Sequence, residues 1–202
     1  MLALAGSFRA RGLISRVDLI KSAFWQAYFV LRGASAERVR IAAEDGMKIL
    51  AGFSVTEMQE LVGDAMEPVL RPLLYDEPLR LVQHHRGRGE RVYIVSATLQ
   101  EIVQHIADDL GFDGAIGSTC EIVDGVYTGR SLRALHGEGK AQAVRDLAAE
   151  EDIDLAGSTA YSDSYSDVPF LETVGHPVAA NPDRKLRRIA ARRGWPVVEF
   201  AS

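Results

Sequence analysis

Hydroxyl, ammonium and carboxylate groups follow several predicted strands in the second half of the sequence. Ser96 and Ala97 come directly after one predicted strand, and Lys140 opens a helix further along. Asp163 and Asp167 come after a later predicted strand. Because the carboxyl ends of parallel strands meet at one edge of a sheet, we expect these groups to converge. Carboxylate oxygens bind Mg²⁺, whereas lysine and hydroxyl groups contact phosphate oxygens, so the set is typical of a phosphoryl-transfer site.

The same residue types also have purely structural uses, and these stay open at this point. A serine after a strand is commonly a helix N-cap, and a lysine at a helix start is usually solvated. Asp163 and Asp167 could cap a helix and compensate its dipole. The stretch 137–140 is similar to a nucleotide-binding phosphate loop. That interpretation fails because Ala134 stands where the first glycine should be and Ala141 where serine or threonine should follow.

Strands and helices alternate after Tyr75 at the spacing of βαβ units, which predicts an α/β fold with a doubly wound parallel sheet. The dipeptide Asp124-Gly125 between two short strands predicts a hairpin. The predicted strands cover 91–95, 115–117, 121–123, 126–128, 158–162, 177–180 and 196–200. The predicted helices cover 76–85, 99–110, 140–151, 168–174 and 183–193.

The segment before Tyr75 contains helical periodicity and no alternation typical of strands. Ser54 and Glu57 form a capping box at the start of one helix, and Pro68 and Pro72 interrupt the pattern that follows. Two earlier helices are predicted over 17–31 and 35–51. The sequence therefore predicts an all-helical lobe before the α/β domain.

Composition excludes several other classes of protein. The 202 residues include 23 Lys and Arg against 28 Asp and Glu, and the net charge of −5 argues against a general nucleic-acid binder. The single cysteine, Cys120, excludes an internal disulfide and a multi-cysteine zinc site, and we expect it to be buried. The longest apolar stretch, 22–31, is shorter than the ~20 residues that span a bilayer. Since the first residues carry no charged leader, we expect a cytoplasmic protein.

A basic stretch over 184–193 supports a different function class, a module that binds an anionic ligand through the C-terminal helix. Such a run is more commonly the solvated face of a terminal helix. The net charge of −5 favours that second interpretation.

The ordered set of motifs resembles the haloacid-dehalogenase (HAD) superfamily of phosphatases, in particular subfamily IB, which contains phosphoserine phosphatase. The second motif of that family, a strand ending in Ser or Thr, is similar to 92–96. Its third motif, a helix-initial lysine, is similar to 139–140, and its fourth to 161–167. Further stretches similar to one branch of the subfamily lie at 11–15, 175–183 and 193–197.

The resemblance implies a Rossmann-type α/β core over 75–202 and an inserted all-helical cap over 8–74 that closes over the substrate. It also implies a Mg²⁺-dependent phosphatase acting on a small phosphorylated metabolite. Aromatic residues within 24–29 favour a bulky or apolar phosphomonoester. We expect no nucleic-acid partner and no membrane span.

By the same resemblance, Asp163 coordinates Mg²⁺ and Asp167 supports the metal site while taking part in catalysis. Ser96 and Ala97 bind the transferring phosphate. Lys140 neutralises charge on the phosphate and on the nucleophile.

The first motif of the family, Asp-x-Asp-x-Thr at the end of the first central strand, has no counterpart in the sequence. Its first Asp is the covalent nucleophile, whereas the earliest aspartate here, Asp18, lies in a helix-like pattern. Without that strand, the strands ending at Ser96 and Ser162 would face a gap. Either the natural protein begins upstream of Met1, or it is a pseudophosphatase that binds a phosphate ligand or a partner. Because the other site residues are all present, we favour the first hypothesis.

Overall fold

A computed structural model of the chain describes residues 47, 48 and 50–200. Residues 8–46 of the predicted cap lie outside the described residues, and with them the predicted helix over 17–31 and its aromatic side chains. Met47 and Lys48 are helical, in agreement with the end of the predicted helix over 35–51. The division of the chain into cap and core stays a prediction.

Helices and strands alternate through most of the described residues. The α-helices are α1 Val55–Ala65, α2 Asp76–Gly87, α3 Gln100–Leu110, α4 Glu138–Glu150, α5 Val168–Leu171 and α6 Arg184–Arg193. The strands are β1 Tyr93–Leu99, β2 Gly114–Val123, β3 Val126–Arg133, β4 Thr159–Ser162, β5 His176–Ala180 and β6 Val197–Val198. No helix in this part of the chain is long and apolar enough to cross a membrane.

The local signals at the start and end of α1 act as predicted. The Ser54 hydroxyl accepts a hydrogen bond of 3.0 Å from the Glu57 backbone N–H, and the Glu57 carboxylate accepts one of 3.0 Å from the Ser54 N–H. The helix ends at Ala65, and a π-helical turn followed by a 3₁₀ turn carries Pro68 and Pro72. Proline cannot donate the backbone hydrogen bond that a continuing α-helix needs, so the pattern breaks there.

The strands of the described residues form two three-stranded sheets. In the first, β1 pairs with β2 in parallel and β2 pairs with β3 antiparallel. In the second, β4, β5 and β6 are all parallel. The α/β class is confirmed, and the sheet is divided between β1 and β4, where the sequence predicts a gap, because no strand among the described residues joins these two strands.

The carboxyl ends of β1 and β4 nevertheless lie on the same side of the molecule. The Tyr93 hydroxyl, at the start of β1, donates a hydrogen bond to Glu151, which follows the end of α4. Lys140, in the first turn of α4, contacts Asp167, which lies beyond the end of β4. Helix α4 is therefore antiparallel to both strands, and this makes β1 and β4 parallel to each other.

The β2–β3 hairpin forms at the predicted turn. Asp124 and Gly125 have φ values of 50° and 76°, the left-handed backbone that a two-residue hairpin turn requires. On the outer side of β3, the Tyr127 N–H donates a 2.8 Å hydrogen bond to the Phe53 carbonyl. The hairpin thereby ties the segment before α1 to the first sheet.

Two hydrophobic clusters hold these elements together. The first contains buried residues of both sheets and of α4, α5 and α6, so the two sheets share one core: Ile116, Leu135, Ala143, Val144, Ala160, Phe170, Leu171, Ala179, Leu186 and Ala190. The second joins α1 to the first sheet: Met47, Met58, Val62, Leu99, Cys120 and Tyr127. Cys120 is buried, as expected for a thiol that packs as a small apolar group.

Some predicted boundaries were wrong. The two strands predicted over 115–117 and 121–123 form one continuous strand, β2, because the residues between them also pair with β3. The helix predicted over 168–174 ends at Leu171, and the Thr173 hydroxyl donates a 2.7 Å hydrogen bond to the Phe170 carbonyl. Gly175 then turns toward the preceding loop, where its N–H donates a 2.9 Å hydrogen bond to Leu155.

Candidate active site

A buried ion pair lies at the carboxyl end of β4. The Lys140 Nζ donates a 2.6 Å hydrogen bond to Asp167 Oδ2, and the Ser162 hydroxyl donates one of 2.8 Å to the same oxygen. Lys140 and Asp167 are each 8 % exposed and Ser162 is 9 % exposed. Both donors use one carboxylate oxygen of Asp167, so its second oxygen is not committed to either of them.

Two glycines allow the chain to bring Lys140 into this position. Gly137 has φ of 51° and ψ of −118°, a backbone conformation that a residue with a Cβ rarely adopts. A Cβ on Gly139 would lie 2.6 Å from the Ala134 carbonyl oxygen. Larger residues at either position would push the first turn of α4, and Lys140 with it, away from Asp167.

Asp163 lies directly beyond β4, in the same loop as Asp167. Burial raises the pKa of Asp163 above its ordinary value, and the negative charge of Asp167 raises it further against the opposing effect of Lys140. Asp163 as a residue is exposed to solvent, so this desolvation of its carboxyl group is partial. A cation beside it would favour the ionised form.

His136 lies near the ion pair and is partly buried. Burial lowers the pKa of His136, and the positive charge of Lys140 lowers it further. The neutral imidazole is therefore favoured beside the lysine.

Ser96 and Ala97 lie at the carboxyl end of β1, in a local irregularity of the strand. Val95 pairs with Ile116 and Leu99 with Ser118, so the three residues from Ser96 to Thr98 oppose the single residue Gly117. The Ser96 hydroxyl accepts a 3.1 Å hydrogen bond from the Thr98 N–H. The three residues thus leave the regular ladder at the end of the strand.

The structure therefore brings some of the predicted site residues into contact. It places the others on the same side of the molecule without direct contact. Lys140 and Asp167 are directly paired, and the negative charge of Asp167 raises the pKa of Asp163. Within the described residues, no hydrogen bond joins Ser96 to these three side chains. The site roles assigned to the five residues stay predictions.

Asp183 is a residue of this region that the sequence analysis did not single out. Its backbone N–H donates a 2.7 Å hydrogen bond to the Asp163 carbonyl, and its carboxylate accepts one of 2.8 Å from the Tyr165 N–H. The other carboxylate oxygen accepts from Lys185 and Leu186, each at 2.8 Å, and so caps α6. The capping role could have been predicted from an aspartate before a helix, but the contact with the loop that carries Asp163 and Asp167 could not.

Ser118 and Gln100 were also missed. The Ser118 hydroxyl donates a 2.8 Å hydrogen bond to the Ala97 carbonyl and accepts one of 3.1 Å from the Leu135 N–H. The Gln100 side chain donates to the Ala115 carbonyl at 3.1 Å and accepts from the Gly117 N–H at 2.6 Å. These amide and hydroxyl groups fix the irregular end of β1 against β2.

The donor set fits a divalent cation of the magnesium type. Magnesium prefers hard oxygen ligands and commonly uses one or two protein carboxylates, with water and substrate oxygens completing its shell. The carboxylate of Asp163 and the second oxygen of Asp167, which neither Lys140 nor Ser162 contacts, are oxygen atoms of this type. No group of three or more His, Cys, Asp or Glu side chains that could hold a metal occurs in the described ranges, so a fully protein-ligated site is not found there.

A model of the haloacid dehalogenase-like hydrolase family matches residues 1–172. The chain belongs to this family. A probable phosphatase of Mycobacterium tuberculosis is 40 % identical over 200 residues, covering 99 % of this chain and 70 % of that protein. A phosphoserine phosphatase of the same organism is 39 % identical over 193 residues, covering 95 % of this chain and 63 % of that protein.

A solved structure from Bordetella pertussis Tohama I, a protein of unknown function, matches this haloacid dehalogenase-like hydrolase with a TM-score of 0.74 and 35 % identity. The match covers 94 % of this chain and 82 % of that one. The family predicted from the ordered motifs is confirmed, and with it the expectation that the chain is a hydrolase of the phosphatase type.

Proposed function

We propose that this hydrolase is a Mg²⁺-dependent phosphatase that removes the phosphoryl group from a small phosphorylated metabolite. The observation that carries the proposal is the buried contact of Lys140 with Asp167, in the same loop as the solvent-exposed Asp163. A bound cation would compensate the carboxylates of Asp163 and Asp167. An anionic substrate would compensate the ammonium group of Lys140.

Asp163 and Asp167 would hold the magnesium ion, which would supply positive charge at the transferring phosphoryl group. Ser162 donates a hydrogen bond to the same Asp167 oxygen that Lys140 contacts. The carboxylate is thereby oriented before a ligand binds, which reduces the reorganisation that binding requires.

Lys140 would contact the phosphate oxygens and stabilise the charge that develops on them. Ser96 and Ala97 would supply further hydrogen bonds to the phosphate, because they lie outside the regular β1–β2 ladder at the same side of the molecule. The relative named a phosphoserine phosphatase supports a small phosphomonoester as the substrate class.

Hydrolysis also needs a nucleophile, which the family resemblance assigns to an Asp-x-Asp-x-Thr motif that does not occur in residues 1–202. The test therefore measures hydrolysis and phosphate binding separately. The protein isolated from its own host is incubated with phosphoserine and with an aryl phosphate, in Mg²⁺ or in a chelator. Isothermal titration with inorganic phosphate and Mg²⁺ is run in parallel.

The matched control for Asp163→Asn is Asp124→Asn, the same change in the exposed hairpin turn. We expect phosphate release that requires Mg²⁺, is lost in Asp163→Asn and is kept in Asp124→Asn. Release that persists in the chelator contradicts the metal dependence. Phosphate binding without any release contradicts hydrolysis and supports a pseudophosphatase.

A further inference from the structure

Ser118 connects the two chain segments that carry the predicted phosphate-binding groups. It lies in β2, is 2 % exposed, and uses one hydroxyl both to donate to Ala97 and to accept from Leu135. Ala97 belongs to the irregular end of β1, and Leu135 precedes the first turn of α4. A single buried hydroxyl therefore forms hydrogen bonds with both segments, 96–98 and 134–140.

The contact on the β1 side holds a segment that the sheet itself does not hold. The residues from Ser96 to Thr98 oppose only Gly117, so the regular ladder does not fix them. The 2.8 Å hydrogen bond to the Ala97 carbonyl replaces the missing ladder contact. The backbone of Ser96 is thereby held at a set distance from β2.

The contact on the α4 side holds the segment that leads to Lys140. Leu135 is fully buried, and tight turns follow it, with hydrogen bonds from Gly139 to His136 at 2.9 Å and from Lys140 to Gly137 at 3.1 Å. Gly139 also packs so closely on Ala134 that a Cβ would meet its carbonyl at 2.6 Å. Because the segment is this compact, fixing Leu135 fixes the start of α4.

We propose that Ser118 is a positioning residue that sets the separation between the Ser96 hydroxyl and the Lys140 ammonium group, and so the fit of a phosphate between them. The inference rests on the proposed function. The role of residue 118 requires a side chain that donates one hydrogen bond and accepts another. A serine or threonine hydroxyl does both, and an alanine side chain does neither.

The experiment compares Ser118→Ala, Ser118→Cys and Ser118→Thr with Ser158→Ala. Ser158 is the matched control, because its hydroxyl also donates to a backbone carbonyl, that of Asp154 at 2.6 Å, on a loop that precedes β4. Cysteine keeps the shape of serine but is a weak hydrogen-bonding group, so it tests the bond even where alanine leaves a cavity. All measurements are made well below the Tm of each variant.

We expect Ser118→Ala and Ser118→Cys to lower kcat by about 10- to 100-fold with a smaller change in KM, the result of misplaced groups. The Kd for inorganic phosphate should rise in both variants. Ser118→Thr should restore most of the activity, and Ser158→Ala should lower Tm without changing kcat or Kd.

The proposal is overturned if Ser118→Ala and Ser118→Cys keep the wild-type kcat and phosphate affinity, or if Ser158→Ala loses as much as they do. A failure of threonine to restore either quantity also counts against it. A wild-type protein that binds phosphate without hydrolysing it overturns the proposed hydrolysis alone, since the phosphate Kd still decides the role of Ser118. A wild-type protein that does neither overturns both.

Discussion

Lys140 and Asp167 form a hydrogen-bonded ion pair of 2.6 Å in which both side chains are almost completely buried. Burying two charges is costly, and removing one partner leaves the other without compensation. Substitutions of Lys140 or Asp167 should therefore affect the free energy of unfolding as well as the candidate active site.

Replacing Lys140 by Met should destabilise the protein by about 3–5 kcal/mol, because Asp167 would keep a buried charge with only Ser162 as partner. The double variant Lys140→Met with Asp167→Asn should lose much less than the sum of the two single variants. Urea unfolding of the four proteins measures this coupling. Arg145→Met is the control on the same helix, because its pair with Glu138 is exposed and should contribute less than about 1 kcal/mol. Additive effects at Lys140 and Asp167 would contradict the pairing.

Asp163→Asn should stabilise the metal-free protein at neutral pH. Partial desolvation raises the pKa of the Asp163 carboxyl group, so its ionised form is less favourable in the folded state than in the unfolded chain. The stability that this group contributes is fully present below its unfolded pKa and is lost as the pH rises through its folded pKa. The Tm of the variant should therefore exceed that of the wild type at pH 7, and the two should converge at pH values below about 3.9. Equal Tm values at pH 7 would argue against a raised pKa.

In the presence of Mg²⁺, the Tm of the wild type should exceed that of Asp163→Asn at pH 7. A ligand that binds only the folded state stabilises it by about 2.7 kcal/mol at a concentration of 100 times its Kd. We expect Mg²⁺ to raise the Tm of the wild type and of Asp124→Asn, but not that of Asp163→Asn. Thermal unfolding with and without the metal measures the effect. An equal shift in all three proteins would place the bound metal elsewhere.

Substitutions of Asp183 should separate its two contacts. Asp183→Ala removes the α6 cap, which costs about 1–2 kcal/mol, and also releases the Tyr165 N–H. Asp183→Asn keeps one oxygen for the cap but presents an amide group to Tyr165, so its stability should stay closer to the wild type. Both variants should weaken Mg²⁺ binding, because the loop between Asp163 and Asp167 loses a support. Chemical unfolding measures the loss of the α6 cap, and Mg²⁺ titration measures the effect on the loop between Asp163 and Asp167. An unchanged Mg²⁺ affinity in both variants would contradict the proposal that Asp183 supports this loop.

Gly139→Ala should destabilise the protein by about 1–3 kcal/mol, since the new Cβ would lie 2.6 Å from the Ala134 carbonyl oxygen. The start of α4 must shift to relieve the clash, so phosphate affinity should fall as well. Gly87→Ala is the control, because nothing lies within 4 Å of a Cβ there. That change should be neutral or stabilising by up to about 1 kcal/mol. Chemical unfolding and phosphate titration of both variants test the difference.

Features that depend only on neighbours along the chain could be predicted from the sequence. The capping box of Ser54 with Glu57 and the left-handed turn at Asp124-Gly125 occur as predicted, because a few adjacent residues suffice to form them. The alternation of strands and helices likewise follows from local periodicity. The residue types of the candidate site, and their order along the chain, were also visible without a structure.

Contacts between side chains of different elements could not be predicted in this way, because they depend on how the whole chain folds. Asp167 could be read as a helix cap or a metal ligand, and folding places it against Lys140, far away in the sequence. Ser118 and Asp183 carry no local signal for their contacts with Ala97 and Asp163, since each partner is supplied by a different element. A hydroxyl or carboxylate can satisfy any nearby donor or acceptor. Its partner is therefore selected by the packing of strands and helices that brings distant backbone groups within hydrogen-bonding distance.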